Sequence, residues 1–427
     1  MVEPERPDIF KPADLVKFNS RLSIGYNRES TINDKKTKLN SNTKNLFALS
    51  SFDPPYLDRS SFSFLINNFI SNNYFDDKSD VLEINQNITD ETFAISVNPN
   101  QSLLLGAGVE HNSGHTHGFY QVEINALRYL SFGFRQFSRT LRMNSLLNSD
   151  GHSALFQLAG TENVRELDFA LDHSPIYRFQ LAFELDQPKN LNVGLNLCPL
   201  SRLSIDYQYS GLKYEYFNTI SIDGNAGGTI SSKFTKSAHQ LLLRYRQNSQ
   251  RQFFVNARRV VAQPGIAGNI DAQYVLNFWQ DLLFGERDYN AHYTIKINQF
   301  NLGMENIISK HFTFRGGIQY IHLTPSGELI HWTPSPVIGV GQFDTKVIPV
   351  PYKNASFSGL SFGITYRIKK IELTYGISQL IPIRIEKTEG SVATPASHGH
   401  IDLDNLWKEL QKDHGGNMQQ LELTWYF

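Results

Sequence analysis

The run Glu110-His111-Asn112-Ser113-Gly114-His115-Thr116-His117 concentrates the residue types that could do covalent chemistry. An imidazole two positions from a hydroxyl can accept its proton and activate it for attack on an acyl ester. The same histidines, with His398 and His400, supply imidazoles at alternate positions. Alternate residues of a strand share one side, so such a set could hold a loop-borne metal. No carboxylate or cysteine spacing completes a ligand set, so the expectation is no metal and no cofactor. A phosphate-cradling glycine loop, a zincin helix and a nucleotide motif are all missing from the sequence.

What positions these residues is a pattern of period two, carried from end to end in short segments. Phe18, Leu22, Ile24 and Tyr26 alternate with Lys17, Asn19, Arg21, Ser23 and Asn27. Leu103, Leu105, Ala107 and Val109 repeat the pattern, and so do Tyr177, Phe179, Leu181, Phe183 and Leu185. It returns in Leu203, Ile205, Tyr207 and Tyr209, in Leu360, Phe362, Ile364 and Tyr366, and in Ile371, Leu373, Tyr375 and Ile377. Each reads as a strand with one apolar and one polar face. His111 and Ser113 continue the apolar parity of the strand before them. In the following strand Tyr120, Val122, Ile124 and Ala126 are apolar, which turns Asn125 to the opposite face.

Short connections fall at 98–101, 198–201, 248–250, 309–310 and 368–370; long ones near 142–163, 212–234, 263–287, 324–354 and 384–415. Short turns on one rim and long loops on the other build a transmembrane antiparallel β-barrel. The segments near 16–28, 44–52, 61–72, 81–97, 102–112, 118–127, 130–140, 164–173, 176–185, 190–197, 202–215, 236–247, 252–262, 288–305, 311–323, 355–367, 370–382 and 417–427 give about 18 strands. Sixteen is the alternative count, because 44–97 and 186–197 read ambiguously. The expected organisation is a periplasmic N-terminal tail at 1–15 and a single barrel domain at 16–427. Helical spacing occurs in two long loops, at Asp271, Tyr274, Val275, Phe278, Trp279 and Leu282, and at Leu403, Leu406, Trp407 and Leu410. Those are candidate plugs or rim caps.

Composition agrees with a membrane fold that is not helical. Among 427 residues, 40 Lys+Arg oppose 41 Asp+Glu, a net charge of −1 that offers nothing to nucleic acid. Only 19% of residues are charged while 12% are aromatic, too few charges to cover an ordinary soluble surface. No run approaches the length of about 18 apolar residues that a membrane-spanning helix needs. Cys198 is alone, so neither a disulfide nor a cysteine metal site holds the fold. The first residues carry no basic and apolar leader, and the expectation is an exported protein whose leader has been removed.

At the C-terminal end Leu421, Leu423, Trp425 and Phe427 alternate with Glu422, Thr424 and Tyr426. This resembles the terminal strand of bacterial outer-membrane β-barrels of the porin-like superfamily. The resemblance implies an outer-membrane location, recognition of those four residues by the barrel assembly machinery, and contact with outer-membrane lipid and lipopolysaccharide. Self-association into a homo-oligomer is left open.

If the apolar set faces lipid, its alternates line the lumen. The candidates are Lys17, Arg21, Arg178, Arg244, Arg246, Lys296, Arg315 and Arg367, against Glu123, Glu166, Asp168, Asp172, Glu184, Asp206, Glu372 and Glu422. Eight of each sign cancel. That favours a water-filled channel for small neutral or zwitterionic solutes over an ion-selective one, unless the charges pair across a narrow lumen. The alternative function is acyl-ester hydrolysis. His111 and Ser113 resemble the His-x-Ser pair of outer-membrane phospholipases and lipid A deacylases, and the phospholipase resemblance implies that Asn125 orients the imidazole. Where that pattern has Asn-Gly after the serine, this sequence has Gly114-His115.

Overall fold

The structure is a computed structural model describing residues 21–34, 39–52, 60–77, 80–100, 102–112, 115–127, 129–149, 152–173, 176–222, 225–270, 287–334, 343–349, 352–387 and 417–426. All regular structure among them is strand. In chain order these are β1 (Arg21–Asp34), β2 (Leu39–Phe52), β3 (Ser60–Asp77), β4 (Asp80–Asn100), β5 (Leu103–Asn112), β6 (His115–Leu127), β7 (Leu130–Ser149), β8 (His152–His173), β9 (Tyr177–Glu184) and β10 (Leu191–Leu200). They continue with β11 (Leu203–Ile222), β12 (Asn225–Arg246), β13 (Arg251–Ile270), β14 (Arg287–Ser309), β15 (Phe312–Pro334), β16 (Phe343–Pro349), β17 (Tyr352–Ile368), β18 (Ile371–Lys387) and β19 (Asn417–Tyr426).

Every pairing is antiparallel, and the sheet closes on itself. β1 pairs β2 on one edge and β19 on the other, with Leu22 opposite both Ser50 and Trp425. β16 and β17 both pair β15, Glu328 with Pro349 and Leu323 with Ala355, so together they fill one place in the wall. Among the described residues the wall therefore has eighteen places, which agrees with the count read from period two. Closure gives every place in the ring a partner on each side, which a strand fold needs in lipid because unpaired backbone groups have no water there.

The barrel is polar inside and apolar outside, the reverse of a soluble core. Buried side chains include Ser23, Thr92, Ser96, Gln121, Glu166, Ser361, Thr365, Gln420 and Thr424, while Ile24, Phe93, Ile95, Leu302, Leu360, Phe362, Leu423 and Trp425 are exposed. Each exposed residue differs in parity from its buried strand neighbours, as the pleat requires. Rings pack edge to face along the outer face, Phe132 on Phe169 at 5.5 Å and Phe169 on Phe179 at 6.2 Å between centroids. Short turns join the strands at one rim. At 369–370 Lys369 takes φ 51, in the left-handed region.

One expectation changes and one ambiguity is resolved. The long connections read near 142–163 and 212–234 are largely strand: β7 and β8 run on to Ser149 and His152, and β11 and β12 to Ile222 and Asn225. Above the membrane both faces meet water, so period two fades although the ladder continues. The segments left ambiguous, 44–97 and 186–197, supply β2, β3, β4 and β10. The tail at 1–15, the helical spacings at 271–282 and 403–410, His398 and His400 lie outside the described residues.

The wall also narrows upward. β4 leaves its ladder with β5 at Asp90 and pairs β7 from Glu83, over the tip of the β5–β6 hairpin. β8 likewise leaves β9 at Glu166 and pairs β11 from Phe156, over the β9–β10 hairpin. Two seams result, between 84–89 and 137–145 and between 157–165 and 211–219, where the facing strand edges carry no ladder. At the base of the second seam the buried side chain of Asn190 stands in for a strand. Its Nδ2 donates to the Lys213 carbonyl at 3.1 Å and its Oδ1 accepts from the Lys213 N–H.

Candidate functional site

The lumen wall carries the charged residues in couples along the strands rather than across the cavity. The Arg135 guanidinium reaches Glu166 at 3.3 Å and Asp168 at 2.6 Å, and it is nearly buried. Arg315 donates through Nε to Glu305 at 2.6 Å and through Nη1 to Thr365. Arg244 stands 3.7 Å from Asp206, which also accepts from Asn196 and Ser204. Arg178 lies 3.8 Å from Asp172, and Arg367 pairs with Glu372 beside the 369–370 turn. These couples sit toward the short-turn rim on five sectors of the wall. Except around Arg135, their arginines are a third to a half exposed, so water reaches them from the lumen.

Of the lumen residues expected from sequence, Asp168, Arg178, Asp206, Arg244, Arg315, Arg367 and Glu372 thus share one lining. Glu166 is buried against Arg135, Glu184 accepts from Asn190 Nδ2 at 2.7 Å, and Glu422 accepts from Thr424. Glu123 and Arg246 follow the lumen parity of Gln121 and Leu242, and Arg246 is exposed next to the 247–250 turn. Arg21 opens β1, and Lys17 lies outside the described residues.

Lys296 is a correction. It shares the exposed parity of Phe300, Leu302 and Met304 on β14 and faces outward. That same parity would have placed Glu305 inward, where it holds Arg315. Arg135 was missed although its alternation with Phe132 and Phe134 marks the lumen face. Between Phe134 and Gln136 it interrupts no apolar alternation, and only the register with β8 sets it beside two carboxylates.

Above the couples the lining on one side becomes apolar. Leu65, Ala94, Phe119, Phe137 and Val164 are buried together, with Leu104 packed against them. Phe137 stands opposite Val164 where both strands enter their seams. Phe119 closes over Gly108, where a Cβ would lie 2.3 Å from the ring, so any larger residue would push the phenylalanine off this shelf. Beneath it Gln121 is 1% exposed, and neither of its buried amide atoms has a hydrogen-bond partner among the described residues.

The constellation at 110–125 is not gathered into a triad. His111 is exposed on the outer face, where its Nδ1 lies 3.0 Å from Thr116 Oγ1. Asn125 stands nine residues further down β6, a separation of about 30 Å, and on the lumen parity. Ser113 lies outside the described residues. His115 and His117 stack at 6.3 Å. Among the described residues no group of three His, Cys, Asp or Glu side chains converges as a metal site would. Phospholipid incubated with purified protein should therefore release the same fatty acid with and without His111→Ala and Asn125→Ala. Loss of release in both variants would restore the triad.

A closed eighteen-place barrel with a polar lumen and an apolar outer belt defines a transmembrane antiparallel β-barrel. No family model matches the chain, and no curated protein does. Solved structures of similar architecture include a Pseudomonas aeruginosa FadL homologue at 11% identity and TM-score 0.42, covering 98% of this chain and 93% of the other. The Ralstonia pickettii toluene transporter TbuX matches at 10% identity and TM-score 0.42, over 98% and 92%. The Vibrio cholerae outer-membrane protein OmpT matches at 8% identity and TM-score 0.41, over 96% and 99%.

Proposed function

We propose that this protein is an outer-membrane channel for small neutral or zwitterionic solutes. The observation that carries this reading is the set of arginine–carboxylate couples facing a solvated lumen. Each of these five arginines has its counter-charge on the same wall, so the couples offer paired hydrogen-bonding groups with little net field. An ion gains little there, whereas a solute with both a donor and an acceptor finds partners for each. Eighteen strands enclose a bore wide enough for water, as in porins of 16 to 18 strands.

Purified protein in a planar bilayer should give discrete conductance steps with weak ion preference. Arg244→Ala and Arg315→Ala should each expose an uncompensated carboxylate, Asp206 or Glu305, and move the permeability ratio toward cations. A bilayer without steps, or a ratio unchanged in both variants, would overturn the reading.

A further inference from the structure

The inner wall between β13 and β17 contains a recess that the couples do not fill. Round the lumen, Phe254, Gly303, Gly317 and Ser361 stand opposite one another in consecutive ladders. One inward row nearer the short turns, Glu305, Arg315 and Gly363 do the same, and one inward row further up Asn256, Asn301 and Gln319. At Gly317 and Gly363 the lining has no side chain, so the wall drops to bare backbone. Elsewhere a neighbour takes such space: the Phe119 ring lies over Gly108, the Asp168 carboxylate over Gly133 and the Phe254 ring over Gly303. The atoms nearest a Cβ at Gly317 would be the Leu302 carbonyl, the Ser361 hydroxyl and Gly303 Cα, so no large side chain closes over it.

Each border of the recess presents a different group. The carboxamides of Asn301 and Gln319 stand above and the Arg315 guanidinium below, with the Ser361 hydroxyl on one flank and the Phe254 ring on the other. Arg315 is compensated by Glu305 and also donates to Thr365 through Nη1. Ser361 donates to the Gly317 carbonyl at 3.4 Å. Asn301 accepts from Gln299 Nε2 at 3.4 Å, whereas among the described residues its Nδ2 and the Gln319 carboxamide make no hydrogen bond. Beside them the Asn256 Oδ1 is buried without a hydrogen-bond partner among the described residues. The window measures about 14 Å round the wall from Phe254 to Ser361 and about 13 Å along β15 from Arg315 to Gln319.

We infer that this recess is a binding site for a neutral sugar of hexose type passing through the lumen. A sugar hydroxyl is at once donor and acceptor, and so is a carboxamide, so Asn301 and Gln319 can each engage adjacent hydroxyls. The C–H faces of the ring fit the bare backbone at Gly317 and Gly363, where a side chain would stand in the way. Arg315 is neutralised by Glu305, so a carboxylate gains little there. An apolar solute would leave the amide border unpaired, which disfavours it. The inference deepens the channel reading and rests on it for the route by which the sugar arrives.

The test uses full-length protein refolded in a sugar-free detergent, with contact to D-glucose read by saturation-transfer NMR and conductance read in planar bilayers from the same preparations. Wild type should show saturable contact with glucose that excess glycine does not displace. Asn301→Ala with Gln319→Ala should weaken it about tenfold, roughly threefold for each neutral hydrogen-bonding side chain lost. Gln208→Ala, which removes an exposed lumen amide on β11, should leave it unchanged. Heat-modifiability confirms that each variant is folded. No saturable contact in folded wild type, displacement by glycine, unchanged contact in the double variant, or an equal loss in Gln208→Ala would each overturn the inference. Conductance steps without glucose contact overturn it and leave the channel standing, whereas glucose contact without steps supports the recess and removes the channel.

Discussion

Leu181→Arg should sharply reduce recovery of folded barrel in lipid, while Gln180→Arg should leave it near wild type. The two residues are neighbours on β9, yet Leu181 stands in an outward row with Phe169 and Val193, and Gln180 is exposed to the lumen beside Arg178. A cation at the lipid face near mid-bilayer costs about 2 to 4 kcal/mol. A barrel stable by about 5 to 15 kcal/mol loses a large share of that through one side chain. On the lumen side the new guanidinium keeps its water and meets Asp172 and Glu184 on the same sector. The measurement is the fraction of heat-modifiable barrel recovered after refolding into liposomes. Equal yields for the two variants would remove the assignment of inner and outer faces on which every other statement about this lumen depends.

Leu423→Asp combined with Trp425→Asp should prevent assembly altogether. β19 alone joins β18 to β1, through nine residue pairs on one side and ten on the other. Leu423 and Trp425 are the outward residues of that strand, 45% and 49% exposed to the lipid side, and the seam behind them is closed by the Ser23–Thr424 hydrogen bond at 3.0 Å. Two carboxylates on the lipid face of the closing strand would leave β1 and β18 as open edges, whose unpaired N–H and C=O groups cannot remain in hydrocarbon. The same residues belong to the proposed assembly signal, so the loss should appear both in cells, as protein missing from outer-membrane fractions, and in refolding without any machinery. Loss in cells alone would assign these residues to recognition rather than closure. Normal barrel in both settings would contradict both roles.

By itself the sequence determined the class of fold and the facing of most strands. Within the membrane one face of each strand meets lipid and the other meets water, so apolar and polar residues must alternate. Tyr177 to Leu185 or Leu360 to Tyr366 therefore announce both strand and orientation. Some short turns were legible from asparagine and proline, as at Asn98-Pro99-Asn100, and others, as at 309–310 and 368–370, only from the break in alternation. The same logic faded where lipid ends: the outer halves of β7, β8, β11 and β12 have water on both faces and no alternation to display.

Only the tertiary structure decided which residues meet. Ladder register places Arg135 beside Glu166 and Asp168, and Arg315 beside Glu305, because pairing between strands sets contacts that no spacing along one strand encodes. Register also separates His111 from Asn125, which twelve-residue spacing from Ser113 had joined. The narrowing over the β5–β6 and β9–β10 hairpins depends on strand lengths that no local pattern encodes. A strand shows the solvent on each of its faces, whereas its neighbours are chosen by the closure of the whole ring.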